Sequence, residues 1–246
     1  MGDGSRIEVR PDLNGPAGSG QGGYACGLLA GHLGNPAEVT LRSPVPLGRP
    51  LPIERREDGS VVVSDRGTLV AEGRRVKPLD LDVPVPPTVE QAREASQHFE
   101  SPLEIFAGCF VCGEGREDGQ RVFAAQVAGR QLVASPWTPS DEWLALEGVV
   151  RPEFVWAVLD CPTYFASALA RPGLIAMLGR LAVELISPVR FGEPHVVMAW
   201  PLGSEGRKHD AGCVLASARG EVLALARSIH IEVSEVPGPA APSASR

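Results

Sequence analysis

The stretch Val39-Thr-Leu-Arg-Ser-Pro-Val-Pro-Leu-Gly-Arg-Pro-Leu51 decides the fold, because the chain repeats it 144 positions later as Val183-Glu-Leu-Ile-Ser-Pro-Val-Arg-Phe-Gly-Glu-Pro-His195. Seven of the thirteen aligned positions are identical. A second block, Gly67–Arg74, returns as Gly220–Arg227 at an offset of 153, so the second copy holds nine further residues between the blocks. A repeat in fixed order predicts one supersecondary unit that is built twice and packed against itself.

The composition narrows the class of protein. At 246 residues, with 43% hydrophobic and 22% charged residues, the chain is typical of a soluble globular protein. It shows no membrane span and no signal-peptide core, so we expect a cytoplasmic protein without a membrane partner. The net charge of −7 argues against a nucleic-acid partner. Five cysteines, an odd number, predict free thiols. The glycine-rich loop lacks the Lys-Ser/Thr of a phosphate-binding loop. We expect no cofactor.

Both halves show the same predicted order of elements: strand, glycine-rich loop, apolar helix, then three or four strands. The helices are expected at Tyr24–Leu33 and from Arg151 through Asp160, continuing with a kink past Pro162. An apolar helix must be covered on most sides, and strands joined by hairpins pair antiparallel. The pattern predicts an α+β fold in which a curved antiparallel sheet wraps around one central helix, twice. The expected strands are 6–10, 38–43, 53–63 with a turn at Asp58-Gly59, 67–76, 121–127, 130–136, 178–187, 195–201, 212–217 and 221–233.

A proline-rich segment, Lys77–Pro87, and a short helix at Gln91–Phe99 connect the halves. We therefore divide the chain into an N-terminal half at residues 1–95, which includes most of the connector, and a C-terminal half at residues 96–236. Residues 237–246 are rich in proline, alanine and serine, which predicts a disordered tail.

This arrangement resembles the hot-dog fold, and two copies in one chain resemble the double hot-dog acyl-CoA thioesterases. Small hot-dog thioesterases of the phenylacetate-pathway type carry an asparagine, then His-Gly-Gly at the start of the central helix, then a catalytic aspartate seven residues beyond the second glycine. The first half matches with Asn14 and with Gly22-Gly23, but it has Gln21 in place of the histidine and Ala30 in place of the acid.

The second half departs from the pattern in the opposite way. It has Arg151-Pro152-Glu153 where the family has His-Gly-Gly, and it keeps the acid as Asp160. The resemblance therefore implies one shared site, in which the backbone N–H groups of Gly22 and Gly23 polarise a thioester carbonyl. Asp160 of the other half would activate water as a general base or attack directly as a nucleophile. The second, pseudo-symmetric site would be inactive.

Each of these residues also has a structural interpretation. Asp160 could cap the helix at the Pro162 kink, Gly22-Gly23 could serve only close packing, and Asn14 could form an Asx-turn. Further candidates are assigned by their position near these residues. Thr163 is a second polar group that could position water, and the expected substrate-binding residues are Gln21, Tyr24, Trp156 and Tyr164.

The motif Cys109-Phe-Val-Cys112-Gly113 has the spacing of half a zinc site. A structural zinc normally needs four ligands, and no second Cys-x-x-Cys or His-x-x-x-His follows. Cys161 and Cys213 stand alone in the sequence. A similar Cys-Phe-x-Cys-Gly occurs near the start of single hot-dog thioesterases, so we interpret the motif as a family feature and expect no metal.

The resemblance implies a thioester hydrolase acting on acyl-CoA or on an acyl-carrier-protein thioester. Its pocket would lie between the two central helices, and double hot-dog units would pair as homodimers. Two alternatives remain. One is an acyl-thioester hydratase or dehydratase, which would pair a histidine with the acid; His32 lies at the far end of the first helix. The other is a non-catalytic acyl-thioester- or lipid-binding protein.

Overall fold

A computed structural model describes residues 5–101, 103–141 and 144–234 of the chain. The predicted disordered tail lies outside these ranges. Helices α1, α2 and α3 span Gly22–Ala30, Val89–Ser96 and Pro152–Ala170. The strands are β1 Arg6–Ile7, β2 Ala37–Leu41, β3 Leu51–Arg55, β4 Val61–Asp65, β5 Thr68–Arg75, β6 Ala125–Gln126, β7 Val133–Trp137, β8 Ala145–Leu146, β9 Val149–Val150, β10 Ala176–Leu185, β11 His195–Glu205, β12 Lys208–Ser217 and β13 Val222–Glu232.

Eleven of these strands form one sheet in the order β1-β3-β4-β5-β2-β10-β13-β12-β11-β7-β6. Strands of the first half therefore occupy one side of the sheet and strands of the second half the other. They meet where β2 pairs antiparallel with β10, a pairing that we call the central seam. The predicted α+β class with a large antiparallel sheet is confirmed.

The register of the sheet follows the sequence repeat. In the seam, Val39 lies opposite Leu181 and Val183 lies opposite Ala37, so that an offset of 144 residues exchanges the two pairs. On the two outer sides of the seam, Val39 pairs with Gly73 and Val183 pairs with Ala226, positions related by the offsets of 144 and 153. Even the turn after each strand is alike. The amides of Arg42 and Ser43 both donate to Val70, and those of Ile186 and Ser187 both donate to Leu223.

Helices α1 and α3 pack against each other in an antiparallel orientation. Gly23, near the start of α1, lies against Trp156 and Asp160 in the middle of α3, and Gly27, one turn later, lies against Glu153 near the start of α3. Glycine is required at both positions, because a Cβ at Gly23 would lie 2.5 Å from the Trp156 carbonyl oxygen and one at Gly27 would lie 2.6 Å from the Glu153 Cα. Helix α1 rests on β2 and β5, whereas α3 rests on β7 and β10–β13.

The connector covers the opposite face of the second half of the sheet. Helix α2 begins with a capping box, in which the Thr88 hydroxyl accepts from Gln91 N–H while the Gln91 side chain accepts from Thr88 N–H. It packs on β6, β7 and β11. The buried residues of this outer layer include Ala92, Ala95, Val196, Met198, Trp200 and Val214. A segment that joins the halves thus also completes the second hydrophobic layer of one of them.

Several elements differ from the sequence-based expectation in length. The first helix begins at Gly22 and ends at Ala30, two residues before its expected start and three before its expected end. Strand β1 has two residues, and β6 is reduced to Ala125–Gln126. The nine extra residues of the second copy fall in the long β11–β12 hairpin, which turns at Gly206. The β8–β9 hairpin, Ala145 to Val150, was not expected.

No helix in the described ranges is both long and apolar enough to cross a bilayer.

Candidate active site

The carboxylate of Asp160 lies at the start of α1, although 137 residues separate it from Gly23. Its Oδ2 accepts hydrogen bonds from the Gly23 backbone N–H at 2.8 Å and from the Gln21 side-chain amide at 2.7 Å. The residue is only 6% exposed. The two halves of the family motif, the glycines of the first copy and the acid of the second, therefore meet in one place.

Gln21 links the helix start to the acid. As the N-cap of α1, its Oε1 accepts the Tyr24 N–H at 2.6 Å, which satisfies one of the amides that have no partner inside a helix. Its Nε2 then points the other way and donates to Asp160. A glutamine performs both tasks at once because its amide carries an acceptor and a donor.

The glycines contribute close packing and a backbone donor. A Cβ at Gly22 would lie 2.9 Å from the Leu178 side chain and 3.2 Å from Asp160 Oδ2, and one at Gly23 would lie 2.6 Å from Asp160 Cβ. The Gly23 N–H is engaged by the carboxylate. Within the described part of the chain, the Gly22 N–H has no acceptor, and Gly22 lines the neighbouring cavity.

Burial governs the protonation of the acid. Desolvation raises the pKa of Asp160 to about 7; the hydrogen bonds from Gly23 and Gln21 oppose the rise, and the nearby Cys109 sulfur adds to it. Carboxylates with a raised pKa in a cleft are typical of acid–base sites, although structural networks also produce them.

His230, on β13, is a functional candidate that the sequence analysis missed. Its Nε2 lies 3.8 Å from Asp160 Oδ1, too long for a direct hydrogen bond, and its Nδ1 lies 3.4 Å from Ser228 Oγ. Burial lowers its pKa to about 3, with a smaller contribution from His209, so the ring is neutral near pH 7. The available signal was a period of two: Ser228 and His230 are polar residues on the inward face of a strand that otherwise buries alanine.

Three cysteines complete this polar end. Cys161 follows Asp160 on α3, and its sulfur lies 3.9 Å from that of Cys109; the sulfur atoms of Cys109, Cys112 and Cys161 all lie within 4.8 Å of one another. Hydrogen bonds from Cys112 and then Cys161 lower the pKa of Cys109 well below its usual value, and backbone N–H groups of Cys112 and Val111 assist. The same sulfur raises the pKa of Cys112 and of Cys161.

A cavity of about 330 Å³ opens beside these groups. Its polar end holds Gln21, Gly22, Asp160, His230 and the three cysteines. The rest of the wall is mostly apolar and comes from the glycine-rich loop, the turn after β2, the segment before Cys109, the start of β10 and the middle of α3. Residues that represent these elements are Pro16, Val45, Phe106, Phe165, Met177 and Leu178. A mostly apolar cavity with a few convergent polar groups is the usual form of a small-molecule site.

The other residues predicted from the sequence separate into two groups. Tyr164 lines the cavity and donates its hydroxyl to the Leu174 carbonyl. Tyr24 and Trp156 pack in the helix interface: the Tyr24 ring lies 5.2 Å from the Phe154 ring, and Trp156 contacts the α1 glycines. Neither is among the cavity-lining residues.

Two predicted polar residues are committed to backbone contacts. Thr163 is fully buried, and its hydroxyl donates to the Asp160 carbonyl at 2.6 Å. Asn14 donates to the carbonyls of Gly15 and Gly108 and accepts from Arg116. Asn14 thus fastens the glycine-rich loop to the segment that carries the cysteine pair. Neither residue lines the cavity.

Comparison with known proteins identifies the fold. No family model and no curated protein matches the sequence. Among solved structures, the tesB protein of Mycobacterium avium subs paratuberculosis superposes with a TM-score of 0.63 at 12% identity, covering 93% of this chain and 92% of that one. A protein of unknown function with the hot-dog fold from Alicyclobacillus acidocaldarius gives 0.61 at 13% identity and 96% of each chain. Acyl-CoA thioesterase II TesB2 from Mycobacterium marinum gives 0.54 at 11%, with 88% and 91% covered.

The chain therefore has the hot-dog fold, and the predicted resemblance to hot-dog thioesterases is confirmed at the level of the fold. At these identities the likeness extends no further. The chemistry has to be argued from the residues of the cavity.

Proposed function

We propose that the protein is a thioester hydrolase that acts on acyl-CoA, or on an acyl-carrier-protein thioester, in the cavity beside Asp160. The observation that carries the proposal is the carboxylate of α3 held at the N-terminus of α1 in a largely apolar cavity. Two of the solved structures that share the fold are a tesB protein and an acyl-CoA thioesterase II.

The geometry distributes the roles among neighbouring atoms. Gly23 N–H and Gln21 fix Asp160 Oδ2, which leaves Oδ1 to take a proton from water. The resulting hydroxide adds to the thioester carbonyl carbon, and the developing oxyanion accepts from Gly22 N–H at the positive end of α1. Collapse of the tetrahedral intermediate breaks the C–S bond, and the leaving thiolate takes the proton back from Asp160. We therefore assign Gly22 to the oxyanion and Gly23 to positioning of the base.

We further propose that the chain is a tandem, double hot-dog protein with halves at residues 1–95 and 96–236. The support is the matched register on both sides of the central seam. Helix α2 straddles this division and packs on the second half. A homodimer of double units and a cytoplasmic location complete the proposal; all five cysteines are free, which suits a reducing compartment.

The direct test is release of free thiol from a panel of acyl-CoAs of different chain length. Asp160→Asn keeps the shape of the side chain and an oxygen for the Gly23 amide, so the fold should persist while hydrolysis falls at least about 100-fold. Asp210→Asn is the matched control, because Asp210 pairs with Arg227 on the β12–β13 surface, away from the cavity. Hydrolysis by Asp160→Asn at the wild-type rate would remove Asp160 from the mechanism.

One observation favours a second candidate, an acyl-thioester hydratase or dehydratase. That reaction pairs a histidine with an acid, and His230 lies 3.8 Å from Asp160, close enough for one water to connect them. The two candidates differ in product. A change in the ultraviolet absorbance of an enoyl-thioester without release of free thiol would indicate the lyase. Release of free thiol without a change in that absorbance would indicate the hydrolase.

A further inference from the structure

The sulfur cluster has the dimensions of a metal site. A tetrahedral zinc ion with Zn–S bonds of about 2.3 Å separates its sulfur ligands by about 3.8 Å. The Cys109 and Cys161 sulfur atoms are 3.9 Å apart, and Cys112 Sγ lies within 4.8 Å of both. Small rotations of the Cys112 side chain would complete the triangle. The third thiol that the motif lacked in the sequence therefore arrives from α3.

The backbone around the cysteine pair forms a tight turn. Gly113 N–H donates to the Cys109 carbonyl at 2.9 Å, and a Cβ at Gly113 would lie 2.5 Å from the Ala107 carbonyl oxygen, so the turn closes only with glycine. The turn thus holds the Cys109 and Cys112 sulfur atoms within 4.8 Å of each other and of Cys161 Sγ.

We propose that Cys109, Cys112 and Cys161 bind one Zn²⁺ ion as thiolates, with the fourth coordination position facing the cavity. Thiolate ligands in a tetrahedral arrangement select zinc among the common divalent cations. Three buried thiolates need a cation to offset their charge. All three cysteines line the cavity, so solvent or a bound ligand completes the coordination from that side. Three protein ligands and one open position distinguish such a site from a closed structural site.

The ion would join two parts of the chain that are 49 residues apart, the segment before β6 and helix α3. It would also lie beside Asp160 and Gln21, whose Nε2 is 3.7 Å from Cys161 Sγ. The zinc site does not depend on the proposed hydrolase activity, and its test measures metal directly, so one proposal can fail while the other stands.

The test uses the full-length reduced protein, stripped of metal by a chelator and titrated with Co²⁺. We expect one Co²⁺ per chain, with the near-ultraviolet sulfur-to-cobalt charge-transfer band and the visible bands of a tetrahedral site, both abolished by one equivalent of Zn²⁺. Cys109→Ser, Cys112→Ser and Cys161→Ser should each weaken binding at least tenfold. Cys26→Ala and Cys213→Ala are the matched controls, since both remove a buried thiol outside the cluster and should bind as the wild type does.

Circular dichroism of each variant separates lost ligation from lost folding, and the wild-type titration decides the matter even where a serine variant unfolds. Absence of a sulfur-to-cobalt band in the folded, reduced wild type would overturn the proposal. Equal loss of binding in Cys213→Ala would also overturn it.

Discussion

The two ends of the α1–α3 helix pair differ in their residues and in their packing. At one end, the glycines that start α1 meet Asp160 and a cavity. At the other end, the start of α3 meets Gly27 of α1, and the position that corresponds to Asp160 is Ala30. At this second end the Arg151 guanidinium lies over the Phe154 ring at 5.0 Å, and the Phe154–Tyr24 ring pair, 5.2 Å apart, lies between the two ends.

A few residues distinguish the two ends. Pro152 takes the place of Gly22 and has no N–H to offer an oxyanion. Glu153 takes the place of Gly23 and pairs with Arg151 at 2.7 Å. The end with the cavity thus combines glycines at the helix start with an acid opposite, and the other end has neither.

The largest effect is expected from an attempt to restore the acid at the closed end. Ala30→Asp would place a carboxylate at a position only 7% exposed, where Pro152 supplies no amide donor. We expect the free energy of unfolding to fall by about 3 kcal/mol or more, with no gain in thiol release. Urea denaturation measures the first and a thiol assay the second. Ala30→Ser is the uncharged control, and a variant with increased turnover would show that the second end is usable.

The next effect tests the close approach at the open end. Gly23→Ala would force a Cβ against the Trp156 carbonyl oxygen and Asp160 Cβ, neither of which is a flexible chain end, so we expect a loss of about 3 kcal/mol in unfolding free energy. Gly31→Ala is the control, because its φ of −56° is helical and its nearest contact is 3.4 Å away in its own helix. Equal stability of the two variants would contradict the described helix crossing.

A third prediction concerns pH and His230, which is 2% exposed and faces Asp160, His209 and the Tyr164 ring. Its pKa falls to about 3 in the folded protein, below the unfolded value, so the unfolded state takes up the proton first as the pH falls. This difference in proton uptake contributes fully to the free energy of unfolding above about pH 6.5. Below that pH the contribution decreases, by about 2 kcal/mol at pH 5.

We expect His230→Asn to lack this part of the acid sensitivity, measured as the difference in urea unfolding free energy between pH 7 and pH 5. His98→Asn replaces an exposed histidine and should keep the wild-type dependence. An unchanged pH dependence in His230→Asn would mean that the ring is protonated as easily in the folded protein as in the unfolded chain.

The smallest effect distinguishes a cap with a second task from an ordinary cap. Gln21→Ala removes the acceptor for Tyr24 N–H and a donor to Asp160, and should cost about 2 kcal/mol of stability together with most of the thiol release. Thr88→Ala removes the cap of α2 and should cost about 1 kcal/mol with unchanged turnover. If both variants retained full activity, Gln21 would be a helix cap alone.

The sequence predicted the parts of the fold that local pattern and repetition control. The repeated segments around Val39 and Val183 predicted a unit built twice, and the complementary losses at Ala30 and Pro152 predicted that Asp160 shares a site with Gly22-Gly23. The sequence did not show in which direction each side chain points in the folded protein. Trp156 and Tyr164 stand four residues either side of Asp160, yet one faces α1 and the other the cavity.

His230 and Cys161 were missed for the same reason. The partners of each come from segments far along the chain: Asp160 for His230, and the Cys109–Cys112 turn for Cys161. No spacing rule connects such residues. Only the closure of β13 and α3 around one cavity brings them together.

The central seam has a consequence for how the two ends could diverge. In a pair of identical subunits, each substitution would appear at both interfaces, so an acid could not be lost at one without being lost at the other. Here β2 and β10 belong to a single polypeptide, and Ala30 and Asp160 are separate codons. Because the halves are joined covalently, their association does not depend on protein concentration. The two ends can therefore carry different residues, and dilution does not separate them.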